Sequence, residues 1–195
     1  MSTETEIKVQ IEDVEAFCLR LNGLNAAALA DRHFEDNYLL DFPDRKLQTG
    51  QCLLRIRFAK GNGILTFKGA PRPDGIFKTR EELETGLQDG ATMLQVLERI
   101  GMAVCFRYQK YRREFLLDEV HVAVDETPVG NYVEFEGTEA RIRALAAKMG
   151  IFESRFLRLS YYSLYLEHCR RIGEAPGFMI YQDSQFPIPD YRSGT

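Results

Sequence analysis

Polar and apolar residues alternate with a period of two along most of the first two thirds of the chain, the pattern of strands that bury one face. Residues 3–11 put Glu4, Glu6 and Lys8 on one side and Ile7, Val9 and Ile11 on the other. The same reading predicts strands over 33–41, 52–59, 63–69, 77–84, 105–117, 119–126 and 131–137, with Lys60-Gly61-Asn62-Gly63 as a hairpin turn and 70–76 as a loop. Helices are predicted over 13–21, stopped by Asn22-Gly23, and from the cap Asp89 to Gly101 with Met93, Leu94, Leu97 and Ile100 buried. Two more run from Thr138 to Gly150 and from Ser160 to about Arg171. Beyond Gly173 the periodicity ends, so the chain divides into a folded domain over 3–172 and a tail over 173–195 that is extended and packs on the body or is partly ordered.

The polar faces are unusual in being charged almost throughout. Half-exposed antiparallel strands with charges facing water are the ordinary explanation. Three features point elsewhere. Like charges come in pairs two residues apart: Glu4 with Glu6, Arg55 with Arg57, Glu82 with Glu84, Lys110 with Arg112, and Glu134 with Glu136. Such partners lie roughly 7 Å apart on one face and repel unless something of opposite charge covers them. Ser, Thr and Gln, which dilute a solvated face, are scarce among them, and the opposite faces (Leu54, Ile56, Phe58; Val120, Val122, Val124) are apolar enough to need helices over them. A barrel with apolar residues outside, under helices, and charge within inverts the usual small barrel. So many enclosed charges call for a wet lumen and ionic ligands, and polyphosphate with a hard divalent cation satisfies both signs.

Composition narrows the classes. The 195 residues suit one domain, and 45% hydrophobic with 28% charged residues is the balance of an ordinary globular protein. A net charge of −4 argues against a general grip on nucleic acid or an anionic membrane. No apolar run approaches the roughly 20 residues of a membrane span, and the start MSTETEIKVQ lacks signal-peptide features, so a cytoplasmic location is expected. Cys18, Cys52, Cys105 and Cys169 are far apart, as are His33, His121 and His168, which disfavours a zinc site, a disulfide framework or a histidine-centred triad.

In order along the chain stand Glu4-x-Glu6-x-Lys8, Asp36-Asn-Tyr38-Leu-Leu-Asp41, Leu54-Arg55-Ile-Arg57, Leu65-Thr66-Phe-Lys68-Gly69, Arg80-x-Glu82-x-Glu84, Lys110-x-Arg112, Asp125 with Gly130, and Glu134-x-Glu136. This set resembles the CYTH domain, named for class IV adenylyl cyclase and thiamine triphosphatase and also called the triphosphate tunnel metalloenzymes, over residues 3–168. The resemblance implies an α+β fold in which an eight-stranded antiparallel tunnel with a charged interior is covered by helices. It implies Mg²⁺ or Mn²⁺ on Glu4, Glu6, Glu134 and Glu136. Lys8, Arg55, Arg57, Lys68, Arg80, Lys110 and Arg112 would bind the phosphate chain, with Lys110 also catalytic. Glu82, Glu84 and Asp125 would position a second metal or its water. Tyr38, Asp41, Gly130, Tyr161 and Tyr162 are read as structural.

Four functions compete at this point. A metal-dependent triphosphatase leads, and class IV adenylyl cyclase follows it. A polyphosphate or nucleotide binding module without turnover is third, and RNA 5′-triphosphatase activity is disfavoured by the acidic net charge. The expected partner is a small molecule bearing a triphosphate; a second copy of the chain is left open.

Overall fold

The computed structural model describes residues 2–182; the tail beyond 182 lies outside the described residues. Eight strands form one closed antiparallel barrel: β1 (Ser2–Ile11), β2 (Ala27–Asp41), β3 (Leu53–Ala59), β4 (Asn62–Lys68), β5 (Lys78–Leu87), β6 (Ala103–Leu117), β7 (Val120–Thr127) and β8 (Gly130–Glu136). Around the barrel they run β1-β5-β4-β3-β2-β6-β7-β8, so β1 pairs with both β5 and β8 and closes the ring.

The apolar faces point outward and are covered. Ile7 and Val9 of β1, Val120, Val122 and Val124 of β7, and Val133 and Phe135 of β8 pack with Phe17 and Leu21 of α1 (Val14–Gly23) and with Ile142, Leu145 and Met149 of α4 (Glu139–Lys148). A second outer core joins Leu40, Ile56 and Leu94 beneath α3 (Gly90–Arg99). Each fully buried side chain of this size contributes about 1.5–3 kcal/mol, so the outer layer, rather than the lumen, supplies the hydrophobic stabilisation. The fit of α3 is close: a Cβ on Gly63 would lie 2.8 Å from the Gly90 Cα, which only glycine at both places allows.

The predicted helices form where expected, with Asp13, Asp89, Thr138 and Ser160 each accepting a hydrogen bond from the first turn. Three details differ. β2 begins at Ala27 rather than at 33, because the alanine-rich start has no alternation of its own and is held by pairing with the end of β6, through two irregularities of register. A short helix, α2 (Lys46–Thr49), is added between β2 and β3, where the sequence predicts no element. Asp41 secures it, Oδ1 accepting from the Phe42 and Leu47 amides and Oδ2 from the Gln48 amide. Finally, Ile100 is 63% exposed: the helix ends at Arg99, which turns this side chain away from the core that Leu94 occupies.

The last helix, α5 (Tyr161–Ile172), sits at one end of the barrel against Phe106 and Tyr108. Beyond it the chain returns along β6. Met179 exchanges backbone hydrogen bonds with Arg107 and Gln109, on the stretch of β6 that precedes its pairing with β7, and Tyr181 donates through its hydroxyl to the Glu126 carbonyl. No helix among the described residues is long and apolar enough to cross a membrane.

Candidate functional site

Because alternate residues of each strand face the lumen, the paired charges of the sequence converge on one cavity of about 390 Å³. Glu4, Glu6, Lys8, Arg55, Arg57, Lys68, Arg80, Glu82, Glu84, Lys110, Arg112, Glu134 and Glu136 all line it. Asp125 is not on its surface; this carboxylate is fully buried in the wall.

Opposite charges interlock across strands. Glu4 on β1 receives Lys68 Nζ at 2.7 and 2.6 Å, and the same ammonium lies 3.1 Å from Glu82. Lys8 bridges Glu134 at 3.0 Å and Glu6 at 3.5 Å. Arg112 donates to both oxygens of Asp125, at 2.7 and 2.6 Å, and to Glu134 at 2.6 Å. Lys110 donates to Asp125 at 2.9 Å, and the Tyr161 hydroxyl completes the set at 2.5 Å. Burial acts to raise the Glu6 and Glu134 carboxyls, but Lys8 opposes it in both, helped by Lys78 at Glu6 and by Arg112 at Glu134, and holds them below the usual carboxylate range.

Several hydrogen-bonding atoms are nonetheless left over. Glu6 Oε1, Arg55 Nε and Arg80 Nε are buried without a hydrogen bond of good geometry, although Lys78 Nζ approaches Glu6 Oε1 to 3.1 Å. Native interiors rarely leave such groups unmatched; the two arginine Nε donors are spare hydrogen-bonding capacity toward an anion, whereas Glu6 Oε1 is ion-paired with Lys78. Among the described residues no three Asp, Glu, His or Cys side chains are gathered closely enough to hold a metal ion by themselves. The reason is visible in the pairings: Glu4, Glu6 and Glu134 each lean toward a Lys or Arg. Their chemistry still fits a hard divalent cation, all the donors being carboxylate oxygens on adjacent strands.

Glu136 differs from these. It makes no ion pair among the described residues, and although the residue is exposed at the tunnel mouth, partial desolvation of its carboxyl together with nearby Glu4 pushes it up from 4.5 to about 7. A carboxyl whose folded value lies above its unfolded one contributes fully below pH 4.5 and loses that contribution as pH rises toward 7. The metal-free protein should therefore weaken between those limits, and Glu136→Gln should be flatter there. Urea midpoints of both proteins at pH 5 and 7.5 measure this; identical pH slopes would contradict it.

The ends of the tunnel are unlike each other. Where β1 and β7 begin and β5, β6 and β8 finish, the lining includes Glu84, Glu114, His121 and Glu136. At the other end Tyr161 and Tyr162 enter from α5. Tyr161 packs on Tyr108 and Tyr132 as a core residue does, yet its hydroxyl reaches Asp125, and Lys8 and Lys110 both lie over its ring. Sequence reasoning assigned it to packing only, since nothing local to a helix start reveals which strand it meets.

Lys78, Glu35 and Tyr108 were also missed. Lys78 is two residues before Arg80, so alternation alone marks its face; burial brings it down to about 8, with Lys8 and Arg80 acting in the same sense. Tyr108 accepts from Arg55 at 3.3 Å and likewise shares a face with Lys110. Asp36, within a quoted motif, points outward to Arg107, whereas its neighbour Glu35 faces Arg57 and Lys110 inside.

The CYTH domain pattern matches residues 2–160, most of the chain and all eight strands. The chain belongs to the CYTH domain family. A Methanocaldococcus jannaschii protein, provisionally named an adenylate cyclase, is 31% identical to this CYTH protein over 134 residues, 68% of this chain and 75% of that one. A solved structure from Vibrio parahaemolyticus, also provisionally named an adenylate cyclase, has a TM-score of 0.73 at 22% identity, covering 84% of this chain and 97% of that one. A Hippeastrum protein, provisionally named an adenylyl cyclase but described as having a dominant triphosphatase activity, has a TM-score of 0.62 at 18% identity, covering 89% and 97%. CYTH proteins are enzymes that bind triphosphate-bearing substrates and in general depend on a divalent metal.

Proposed function

We propose that this protein hydrolyses a triphosphate-bearing small molecule, with inorganic tripolyphosphate, a nucleoside triphosphate or thiamine triphosphate as the substrates to compare. The observation that carries the reading is the enclosed lumen, in which Lys8, Arg55, Arg57, Lys68, Arg80, Lys110 and Arg112 face one cavity with carboxylates beside them. With Lys78 eight cations line this surface beside seven glutamates, and several cations spaced along one wall suit the extended charge of a triphosphate better than that of a single phosphate.

In this reading Arg55, Arg57, Lys68, Arg80, Lys110 and Arg112 hold the nonbridging oxygens and align the chain for in-line displacement. Glu4, Glu6, Glu134 and Glu136 would hold Mg²⁺ or Mn²⁺, which when bound neutralises phosphate charge and polarises the reacting phosphorus. Glu82 and Glu84 face the same lumen and are the candidates for orienting the attacking water. Asp125 presents no surface to the cavity, so its part is to fix Lys110, Arg112 and Tyr161. Water attacking the terminal phosphorus breaks the bond to the bridging oxygen and releases orthophosphate.

The second reading is adenylyl cyclase, favoured by the name of the 31% identical relative. There the ribose 3′-hydroxyl attacks the α-phosphorus and pyrophosphate leaves with cyclic AMP. The triphosphatase activity described for the Hippeastrum protein supports hydrolysis as the first choice. Incubation with Mg²⁺ or Mn²⁺ and each of ATP, tripolyphosphate and thiamine triphosphate, followed by phosphorus NMR and chromatography, separates the outcomes. Orthophosphate supports hydrolysis, cyclic AMP with pyrophosphate supports the cyclase, and metal-dependent binding without product supports the binding module.

Arg57→Ala should raise KM for the best substrate by about tenfold or more, the usual scale for losing a charge-assisted contact, with a smaller effect on the melting temperature. Initial-rate kinetics test this, and an unchanged KM would remove Arg57 from the phosphate site.

A further inference from the structure

Glu35 is an acidic group on the inner side of the barrel that the assignment above leaves without a task. It lies on β2, 2% exposed, and its charged partners are Arg57, Lys110 and His33. Arg57 Nη1 of β3 is 3.1 Å from its Oε1, and Lys110 Nζ of β6 is 3.5 Å from its Oε2. His33 Nε2, from the same face of β2, is 3.6 Å from Oε1. Register explains the grouping: Glu35 is directly opposite Lys110, and Asn37, two residues along, is opposite Arg57 and accepts from its Nε at 3.0 Å.

Two observations set this carboxylate apart from a structural ion pair. Its Oε2 is buried without a hydrogen bond of good geometry, so the contact with Lys110 is Coulombic and incomplete. Its cationic partners are two of those assigned to the phosphate chain, and both line the lumen. Burial acts against the charged carboxylate, yet Lys110, Arg112 and Arg57 keep it ionised, so it stands in the wall as a fixed anion.

We propose that Glu35 is a positioning residue that occupies Arg57 and Lys110 in the empty tunnel and competes there with the phosphate chain, weakening ground-state and product binding while holding both cations in register for the reaction. This rests on the reading of the lumen as a polyphosphate site. A polyanion entering the tunnel must share these two cations with a permanent negative charge. Binding then gains less from them than their number suggests, and product, which carries fewer charges, leaves more readily. A triphosphatase without this anion would hold its product in a well of its own making.

Glu35→Gln keeps the shape and removes the charge. Calorimetric titration of wild type and variant with metal-free tripolyphosphate, and separately with pyrophosphate, should show affinity about tenfold or more tighter in the variant, the scale of removing a unit charge a few Å away at an effective dielectric near 20. Steady-state kinetics on the best substrate should give a lower KM together with a lower kcat, a split that mere loss of structural support does not produce. Glu35→Asp, which keeps the charge, should stay near wild-type affinity and guards against loss of fold, checked by melting temperature. Equal or weaker binding by Glu35→Gln would overturn the proposal while wild-type binding leaves the tunnel reading intact; absence of binding in both proteins, with pyrophosphate and Mg²⁺ as well as without metal, would overturn the two together.

Discussion

Glu136→Gln should lower turnover by about a hundredfold or more at saturating Mg²⁺ or Mn²⁺ and leave the barrel intact, as expected for loss of a carboxylate ligand. This site gives the cleanest test of the metal assignment because among the described residues its side chain makes no ion pair that the substitution would break. Glu4→Gln, by contrast, also takes from Lys68 the charge and one of the two oxygens it donates to, so a fall in activity there mixes metal and phosphate effects. Metal titration followed by calorimetry, with circular dichroism as the control for fold, supplies the two readouts. Normal turnover and unchanged metal affinity in Glu136→Gln would move the metal elsewhere.

The largest loss of stability should follow Asp125→Ala. This carboxylate is fully buried and takes hydrogen bonds from Lys110, Arg112 and the Tyr161 hydroxyl. Removing it leaves two enclosed cations short of a partner, which typically costs about 3–5 kcal/mol. Glu35 and Glu134 remain near them and keep the cost from rising further. Activity should be lost as well, since Arg112 and Lys110 no longer have a fixed direction. Urea denaturation measures the stability; added tripolyphosphate should recover part of it by returning negative charge to the same cations. A stability change below about 1 kcal/mol would mean that the enclosed network is already compensated without Asp125.

The barrel and most of its lining were legible in the sequence because period-two alternation assigns both faces at once. Once Ile7 and Val9 are outside, Glu4, Glu6 and Lys8 must be inside, and the same step places Arg55, Lys68, Arg80 and Glu134. What was missed depends on contacts between distant segments. The long start of β2 has no alternation to reveal it and exists through β6. Tyr161 is indistinguishable from a packing residue until α5 is placed at the end of the tunnel. Glu35 was overlooked because the neighbouring Asp36 belongs to the motif, although one residue of shift reverses the face. Asp125 could be assigned to the inner side of β7 from sequence, but not to a position behind the lining, which three donors from β6 and α5 determine.

Closure of the ring through β1 also puts a long-range pairing at the seam of the barrel. The first strand of the chain pairs with β8, so its second edge has no partner until residues more than a hundred positions later have been made. Contacts of such sequence separation slow folding, because the chain loses loop entropy before the pairing is rewarded. During synthesis β1 waits with Glu4, Glu6 and Lys8 on one face and a strongly apolar opposite face, a combination prone to association with other chains. The pairing of Lys8 with Glu134 and of Glu6 with Glu136 closes the ring and brings the candidate metal carboxylates of the two strands together. A chain arrested before β8 lacks both, and acquisition of activity during refolding should track formation of the closed barrel.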